Sequence, residues 1–193
     1  MSVLPFPEPL LSDGVVALRL WRDEDVPVKA SWGLDPEIVR WTGVPAGYTE
    51  DAARVQAARV EQARREGRMI GLAIVDAGTG AVLGSCDLRR PDSTDPALGE
   101  VGYLLASEAR GRGAAARAVW LLVDWSFREL AMERVQALVH PVNPPSAAVL
   151  ERLGFQREGL LRGYRAVNGG REDRVLYAVL RGGLLCPAPI PPA

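Results

Sequence analysis

The residues with the clearest chemical potential lie between a strand-like run and a long helix. Val101–Ala106 is apolar, and after a short polar link Arg110, Gly111, Arg112 and Gly113 precede a run without Pro or Gly from Ala114 to Leu130. The first N–H groups of a helix have no intrahelical acceptor and lie at the positive end of the helix dipole. Small residues, Ala114 and Ala115 among them, leave those groups uncovered. The stretch therefore predicts an anion site, such as a phosphate site.

Two kinds of phosphate site fit this order of elements. The sequence from Gly111 to Ala116 matches G-x-G-x-x-A, which on its own is a weak indication of a dinucleotide site. That site requires its first Gly directly after the strand and an acid at the end of the next strand. Here Ser107 to Arg110 intervene, and the next strand ends at His140. An antiparallel hairpin upstream also disagrees with a doubly wound sheet, so these features disfavour the dinucleotide interpretation.

Composition limits the classes of protein and site. A chain of 193 residues is long enough for one domain with a sizeable core, and its net charge of −1 gives no reason to expect nucleic acid as a partner. Cys86 and Cys186 are the only cysteines and His140 is the only histidine, which predicts a reducing compartment and no metal site. The first residues do not resemble a secretion signal, and no apolar run is long enough to span a membrane. We therefore expect a cytoplasmic protein.

The remaining elements must position the predicted anion site. Apolar patterning, caps and turn residues predict these elements in chain order: a strand over Val15–Trp21, a helix start at Asp23, short helices and loops from Ala30 to Tyr48, a helix from its N-cap Thr49 to Gly67, a hairpin over Met69–Arg90, the strand and helix described above, a strand over Arg134–His140, a short helix from Asn143 to Gly154, and a closing hairpin turning at Asn168-Gly169-Gly170. This order predicts an α/β (α+β) fold, with a mixed, mostly antiparallel sheet flanked by helices. We expect an N-terminal extension over 1–14, one domain over 15–182 and a Pro-rich tail over 183–193.

When the same stretch is read from Arg110, it gives the pattern R-x-x-G-x-A over Arg110, Gly113 and Ala115. This pattern resembles the acyl-CoA-binding signature of the GCN5-related N-acetyltransferases. The leading L-R-L, E-V-G-Y on the strand, N-x-x-S before V-L-E-R-L-G-F, and the closing R-E-G-L-L-R-G-Y and D-R-V-L-Y resemble its ribosomal-protein N-terminal acetyltransferase branch (RimJ/RimL-like). The resemblance covers nearly the whole chain. It implies an enzyme that transfers an acyl group, most simply acetyl, from acyl-CoA to a primary amine by direct attack.

The resemblance also implies where the cofactor binds. The pyrophosphate is expected over the amides of the signature turn, and the pantetheine arm along the strand before it. The residues so implied are Leu104, Leu105, Arg110, Gly111, Arg112, Gly113, Ala114, Ala115 and Asn143. Asn143 is equally well explained as the N-cap of the helix that begins at Pro144.

The candidate catalytic residues are Glu100 and Ser146. Glu100 begins the signature strand and is a candidate base for the amine, but a one-residue shift of register would turn it outward as a surface acid. Ser146 is a candidate proton donor to the leaving thiolate, or a serine of the first helical turn. The tyrosine that many members of the superfamily carry in this helix is absent. His140, on a buried strand, is expected to be a packed core residue.

The acceptor is specified less well than the donor. The resemblance favours a protein N-terminus. An α-amine with a pKa near 7.8 costs about 1 kcal/mol to neutralise at pH 7, whereas a lysine costs about 4.6 kcal/mol, so an N-terminal substrate needs only a weak base or a water. Small amines such as polyamines and aminoglycosides, lysine side chains, succinyl-CoA as donor, and a non-catalytic acyl-CoA-binding module stay open, and the resemblance is compatible with a homodimer. Trp32, Trp41 and Tyr48 either shape the acceptor side or belong to the core, and Tyr164 and Asp173 are expected to organise the closing hairpin.

Overall fold

The computed structural model of the chain describes residues 3–8, 10–167 and 170–187. Its strands are β1 (Leu11–Ser12), β2 (Val16–Arg19), β3 (Met69–Asp76), β4 (Val82–Arg89), β5 (Leu98–Leu105), β6 (Arg134–Val139), β7 (Gln156–Val167) and β8 (Gly170–Leu180). Its α-helices are α1 (Val26–Ser31), α2 (Pro36–Trp41), α3 (Glu50–Arg65), α4 (Ala114–Glu129) and α5 (Pro144–Arg152). No helix in the described ranges is long and apolar enough to span a membrane.

The strands form one sheet in the order β1-β2-β3-β4-β5-β6-β8-β7. Neighbouring strands are antiparallel except β5 and β6, which are parallel and pair only over Leu98–Glu100 with Arg134–Gln136. Beyond Glu100, β4 stays paired to β5 as far as Leu105 without a shift of register. The two central strands, β5 and β6, therefore separate toward their carboxyl ends. The α/β (α+β) fold class predicted from the sequence is confirmed.

The two faces of the sheet carry different helices. Alternate residues such as Leu72, Leu88 and Val101 point to one face and pack with Leu122 of α4 and Leu150 of α5 in the main core. On the other face, a Cβ added at Gly71 would lie 2.9 Å from Val60 of α3. The sheet thus lies between the layer of α4 and α5 and the layer that contains α3.

Most predicted elements form where the sequence indicated. The side chain of Thr49 accepts a hydrogen bond from Ala52 N at the start of α3, as expected of an N-cap. β1 joins the sheet and Leu4 is buried, so part of the predicted N-terminal extension packs against the domain, and the domain bounds stay a prediction. The closing hairpin forms, but Asn168 and Gly169 of its predicted turn lie outside the described residues, as does the tail from 188 onward.

Candidate active site

The signature turn exposes the N-terminus of α4. Gly111 has φ 76° and Gly113 has φ 74°, a left-handed conformation that glycine adopts at little cost. Gly113 is the N-cap of α4, and no side chain caps the helix there. Ala114 and Ala115 are buried against the core, and they carry nothing beyond Cβ to cover the first amides. The turn fits an anion of the pyrophosphate kind.

The side chain of Arg110 folds back onto neighbouring elements. Its guanidinium lies 2.5 Å from the Asp35 carboxylate, and its Nε donates to the Leu105 carbonyl at 3.2 Å. Burial raises the pKa of Asp35, but hydrogen bonds from Arg110 and from two amides of α2 outweigh it, so that this pKa is lowered. Arg110 thus ties the start of α2 to the end of β5. Arg112, by contrast, is exposed beside the turn.

The edge of β5 that faces β6 offers backbone groups beyond the last paired residue. Ala106 N donates to Leu83 O of β4, and a Cβ at Gly84 would lie 2.2 Å from Leu104 O, so both of these groups point to β4. Because successive peptide groups alternate, the Leu105 amide and the Tyr103 carbonyl point the other way. The Leu104 carbonyl is thus turned to β4, and the pantetheine contacts at Leu104 and Leu105 stay predictions, with the Leu105 amide on the open edge.

Glu100 lies on the α3 side of the sheet, on the face opposite Val101. Its Oε2 accepts from Gln136 Nε2 at 3.1 Å, and its Oε1 lies 3.7 Å from Arg89. Arg89 also contacts Asp87, on the same face of the neighbouring strand, at 2.5 Å. The Glu100 side chain is only 13% exposed, so it is not a surface acid. Asp87 is a second carboxylate there, and sequence reasoning missed it because its neighbour Glu100 comes from another strand.

Asn143 and Ser146 form the first turn of α5. The Asn143 side chain accepts from Ser146 N at 3.3 Å, so its N-cap role is established, and its contact with the cofactor stays a prediction. Ser146 Oγ lies 2.9 Å from the Tyr103 hydroxyl oxygen. Tyr103 belongs to the E-V-G-Y motif, but this contact across 43 residues of chain was not visible in the sequence.

The side of the sheet that bears Glu100 is bounded by aromatic and hairpin residues. The rings of Trp41 and His140 lie 5.2 Å apart, and His140 Nε2 is 3.9 Å from Glu172 of β8. His140 is therefore a partly exposed residue at the end of β6, and the expectation of a core histidine is wrong. A Cβ at Gly43 would lie 3.5 Å from the Arg165 guanidinium, so the closing hairpin reaches the segment after α2.

The other aromatic candidates and the hairpin residues have structural positions. Trp32 is buried edge-on against Trp21, and the Tyr48 hydroxyl lies 3.4 Å from a carbonyl of α3. Asp173 accepts from Gly163 N at 2.7 Å, where β7 changes register, whereas Tyr164 is half exposed. Within the described ranges, no three His, Cys, Asp or Glu side chains come together as metal ligands would.

Comparisons with known proteins agree with this geometry. Residues 16–156 match the acetyltransferase (GNAT) domain family. The chain is 31% identical over 166 residues to the uncharacterized N-acetyltransferase p20 of Bacillus licheniformis, covering 86% of this chain and 93% of that protein. The structure of Mycobacterium smegmatis RimJ in complex with CoA-disulfide superposes with a TM-score of 0.78 at 27% identity, covering 90% of this chain and 86% of that one. A putative acetyltransferase from T. thermophilus gives a TM-score of 0.75 at 30% identity, covering 93% and 92%.

The splayed strands, the uncapped glycine turn and the match over most of the chain lead to one assignment. The residues present fit an acyl-CoA co-substrate, and the positions of its phosphates at the signature turn and of its arm beside the open edge of β5 stay predictions. This chain belongs to the GNAT family of acyl-CoA-dependent N-acetyltransferases, in the RimJ/RimL-like branch.

Proposed function

We propose that this enzyme transfers acetyl from acetyl-CoA to the α-amine of a protein or peptide N-terminus. The observation that carries the proposal is the distribution of polar groups around the gap between β5 and β6. Glu100 lies on one face of the sheet, and Ser146 with Tyr103 lies on the other. A base for the amine and a hydrogen-bond donor for the leaving group are thus available from opposite sides of one opening.

The proposed role of each residue in the transfer follows from its position. Acetyl-CoA supplies an acyl group already activated as a thioester, so no nucleophile of the protein is required. The Leu105 amide points into the gap and can donate to the acyl oxygen, on which negative charge develops. Glu100 takes the proton of the amine directly or through a water. Ser146 donates a hydrogen bond on the side where the thiolate leaves.

The choice of acceptor follows from the cost of deprotonation and from the surroundings of Glu100. A carboxylate is a weak base, and it serves an α-amine, of which about 14% is neutral at pH 7, far better than a lysine, of which about 0.04% is. Trp41 and the closing hairpin border the same side, and Arg165 lies beside Gly43. These residues would border the N-terminal segment of a peptide acceptor whose amine reaches Glu100.

The test is an acceptor panel with acetyl-CoA, followed as free thiol and by mass of the product. We expect release with peptides that have a free N-terminus and no release with the same peptides blocked at the N-terminus but containing lysine. Spermidine and an aminoglycoside test small-molecule acceptors, and succinyl-CoA tests the donor. Turnover only with lysine or small amines would overturn the acceptor assignment, and binding of acetyl-CoA without turnover of any amine would overturn the activity.

A further inference from the structure

The contact between Tyr103 and Ser146 joins the two halves of the fold that separate at the gap. Tyr103 lies on β5, and Ser146 lies on α5, which follows β6. The Tyr103 hydroxyl oxygen is 2.8 Å from the Ser146 carbonyl oxygen and 2.9 Å from Ser146 Oγ. The Tyr103 ring packs against the main core, which fixes where the hydroxyl can be. A side chain of β5 is thus bonded to the residue proposed to meet the leaving group.

The number of protons fixes the direction of these hydrogen bonds. A carbonyl oxygen can only accept, so the Tyr103 hydroxyl donates its single proton to Ser146 O at 2.8 Å. The Tyr103 oxygen is then left as an acceptor 2.9 Å from Ser146 Oγ, and the Ser146 hydroxyl proton can turn to it. Ser146 Oγ has no other partner among the hydrogen bonds of the described residues, so Tyr103 holds both the backbone and the side chain of Ser146.

Tyr103 is suited to donate without giving up its proton. Burial raises the pKa of Tyr103, which keeps the phenol neutral throughout the working range. A phenol that does not ionise cannot serve as the acid that protonates the thiolate. It can hold the orientation of the serine hydroxyl, and this distinguishes a positioning residue from a proton donor.

We propose that Tyr103 is a positioning residue: it donates to the Ser146 carbonyl and accepts from Ser146 Oγ, and it thereby holds the Ser146 hydroxyl where its proton can turn to the sulfur of the leaving thiolate. The inference rests on the proposed function. In the transfer, the amine lone pair forms the new N–C bond, the electron pair of the broken C–S bond goes to sulfur, and the amine proton passes through Glu100 to solvent. Ser146 keeps its proton and stabilises the sulfur by a hydrogen bond.

The first test compares Tyr103→Phe with the parent enzyme under saturating acetyl-CoA and peptide. Losing the orienting hydrogen bond is expected to lower kcat about three- to tenfold and to leave the KM of the peptide unchanged. Because Tyr103 acts through Ser146, Tyr103→Phe combined with Ser146→Ala should be no slower than Ser146→Ala alone. Independent, multiplicative effects would overturn the inference, and so would an unchanged kcat of Tyr103→Phe.

A second test measures binding without turnover. Above about pH 9, where much of the CoA thiol is ionised, the parent should bind CoA more tightly than desulfo-CoA, which lacks the sulfur. Tyr103→Phe and Ser146→Ala should each reduce this ratio. An equal ratio in the parent and Tyr103→Phe would overturn the inference. If the parent released no thiol with any amine, the proposed function would fail, and this binding ratio would still decide the role of Tyr103.

Tyr177→Phe is the matched control. The Tyr177 hydroxyl is 3.2 Å from Glu151, so it also contacts α5, but at a residue away from Ser146. The same loss of one oxygen at Tyr177 is expected to leave kcat and the CoA to desulfo-CoA ratio unchanged. Thermal midpoints of both variants show how much stability each hydroxyl contributes. An equal fall of kcat in Tyr177→Phe and Tyr103→Phe would assign the effect to packing of α5 and overturn the inference.

Discussion

Replacing Glu100 by Gln tests the base with little disturbance of the fold. The substituted side chain has the same shape and can still bond to Gln136, which lies 3.1 Å from Oε2. The variant loses only the attraction of Arg89 at 3.7 Å. Arg89 is 44% exposed, and pairs of this kind contribute about 0–1 kcal/mol. The thermal midpoint should therefore change little.

The expected loss of activity follows from the protonation of the acceptor. Without a base, only amines that are already neutral can react, about 14% of an α-amine at pH 7 and about 83% at pH 8.5. The Glu100→Gln rate should therefore rise about sixfold between these pH values, whereas the parent should change less. At pH 7 deprotonation of the acceptor alone accounts for about a sevenfold fall in kcat/KM. Loss of proton transfer in the transition state extends the expected fall to about a hundredfold, the low end for general bases.

The assay is thiol release with a peptide of free N-terminus from about pH 6.5 to about pH 8.5, a range that spans the α-amine pKa. Asp87→Asn is the matched control, since Asp87 contacts the same Arg89 at 2.5 Å and lies on the same face. If Glu100→Gln followed the parent at every pH, Glu100 would not be the base. A loss confined to Asp87→Asn would assign the role to Asp87.

Three further perturbations address the cofactor turn, the stability of the fold and the acceptor side. Gly113→Glu should abolish acetyl-CoA binding in a thermal-shift titration, because it adds a carboxylate beside the α4 amides, and its φ of 74° adds about 1–2 kcal/mol of strain. Gly80→Glu, at φ 76° in an exposed turn, has the same strain and should keep the affinity, so unchanged binding by Gly113→Glu would contradict the assignment. Asp25→Ala should lower the free energy of unfolding in urea by about 3 kcal/mol at pH 7, since it leaves Arg19 unpaired in a buried contact of 2.6 Å. Burial raises the pKa of Asp25, but hydrogen bonds from Arg19 and a backbone amide lower this pKa overall. The stability that Asp25 contributes is therefore fully present above the ordinary Asp pKa and is lost as the pH falls from there through the lowered pKa. The difference in free energy of unfolding between the parent and Asp25→Ala should shrink at about pH 3. Trp41→Ala should raise the KM of the acceptor several-fold and leave acetyl-CoA affinity unchanged, and an equal loss of both would place Trp41 at the cofactor instead.

Local signals in the sequence were sufficient for most elements and for a prediction of where the donor binds. Caps and turn residues such as Thr49 and Gly113 act within a few residues, and apolar periodicity follows from the face that each element buries. The glycine turn before α4 is itself local, so an anion site could be predicted there directly. The resemblance to the GCN5-related N-acetyltransferases then extended the prediction from an anion site to an acyl-CoA site.

Contacts between distant parts of the chain decided the rest. The side toward which Glu100 points, the contact of Tyr103 with Ser146, and the position of His140 beside Trp41 depend on strand register and on the separation of β5 from β6. A shift of one residue in register reverses the face of every side chain, and the sequence alone does not fix that register. The composition and motifs of the chain thus determined the fold class and the donor, and the packing of the sheet determined which side chains meet around the gap.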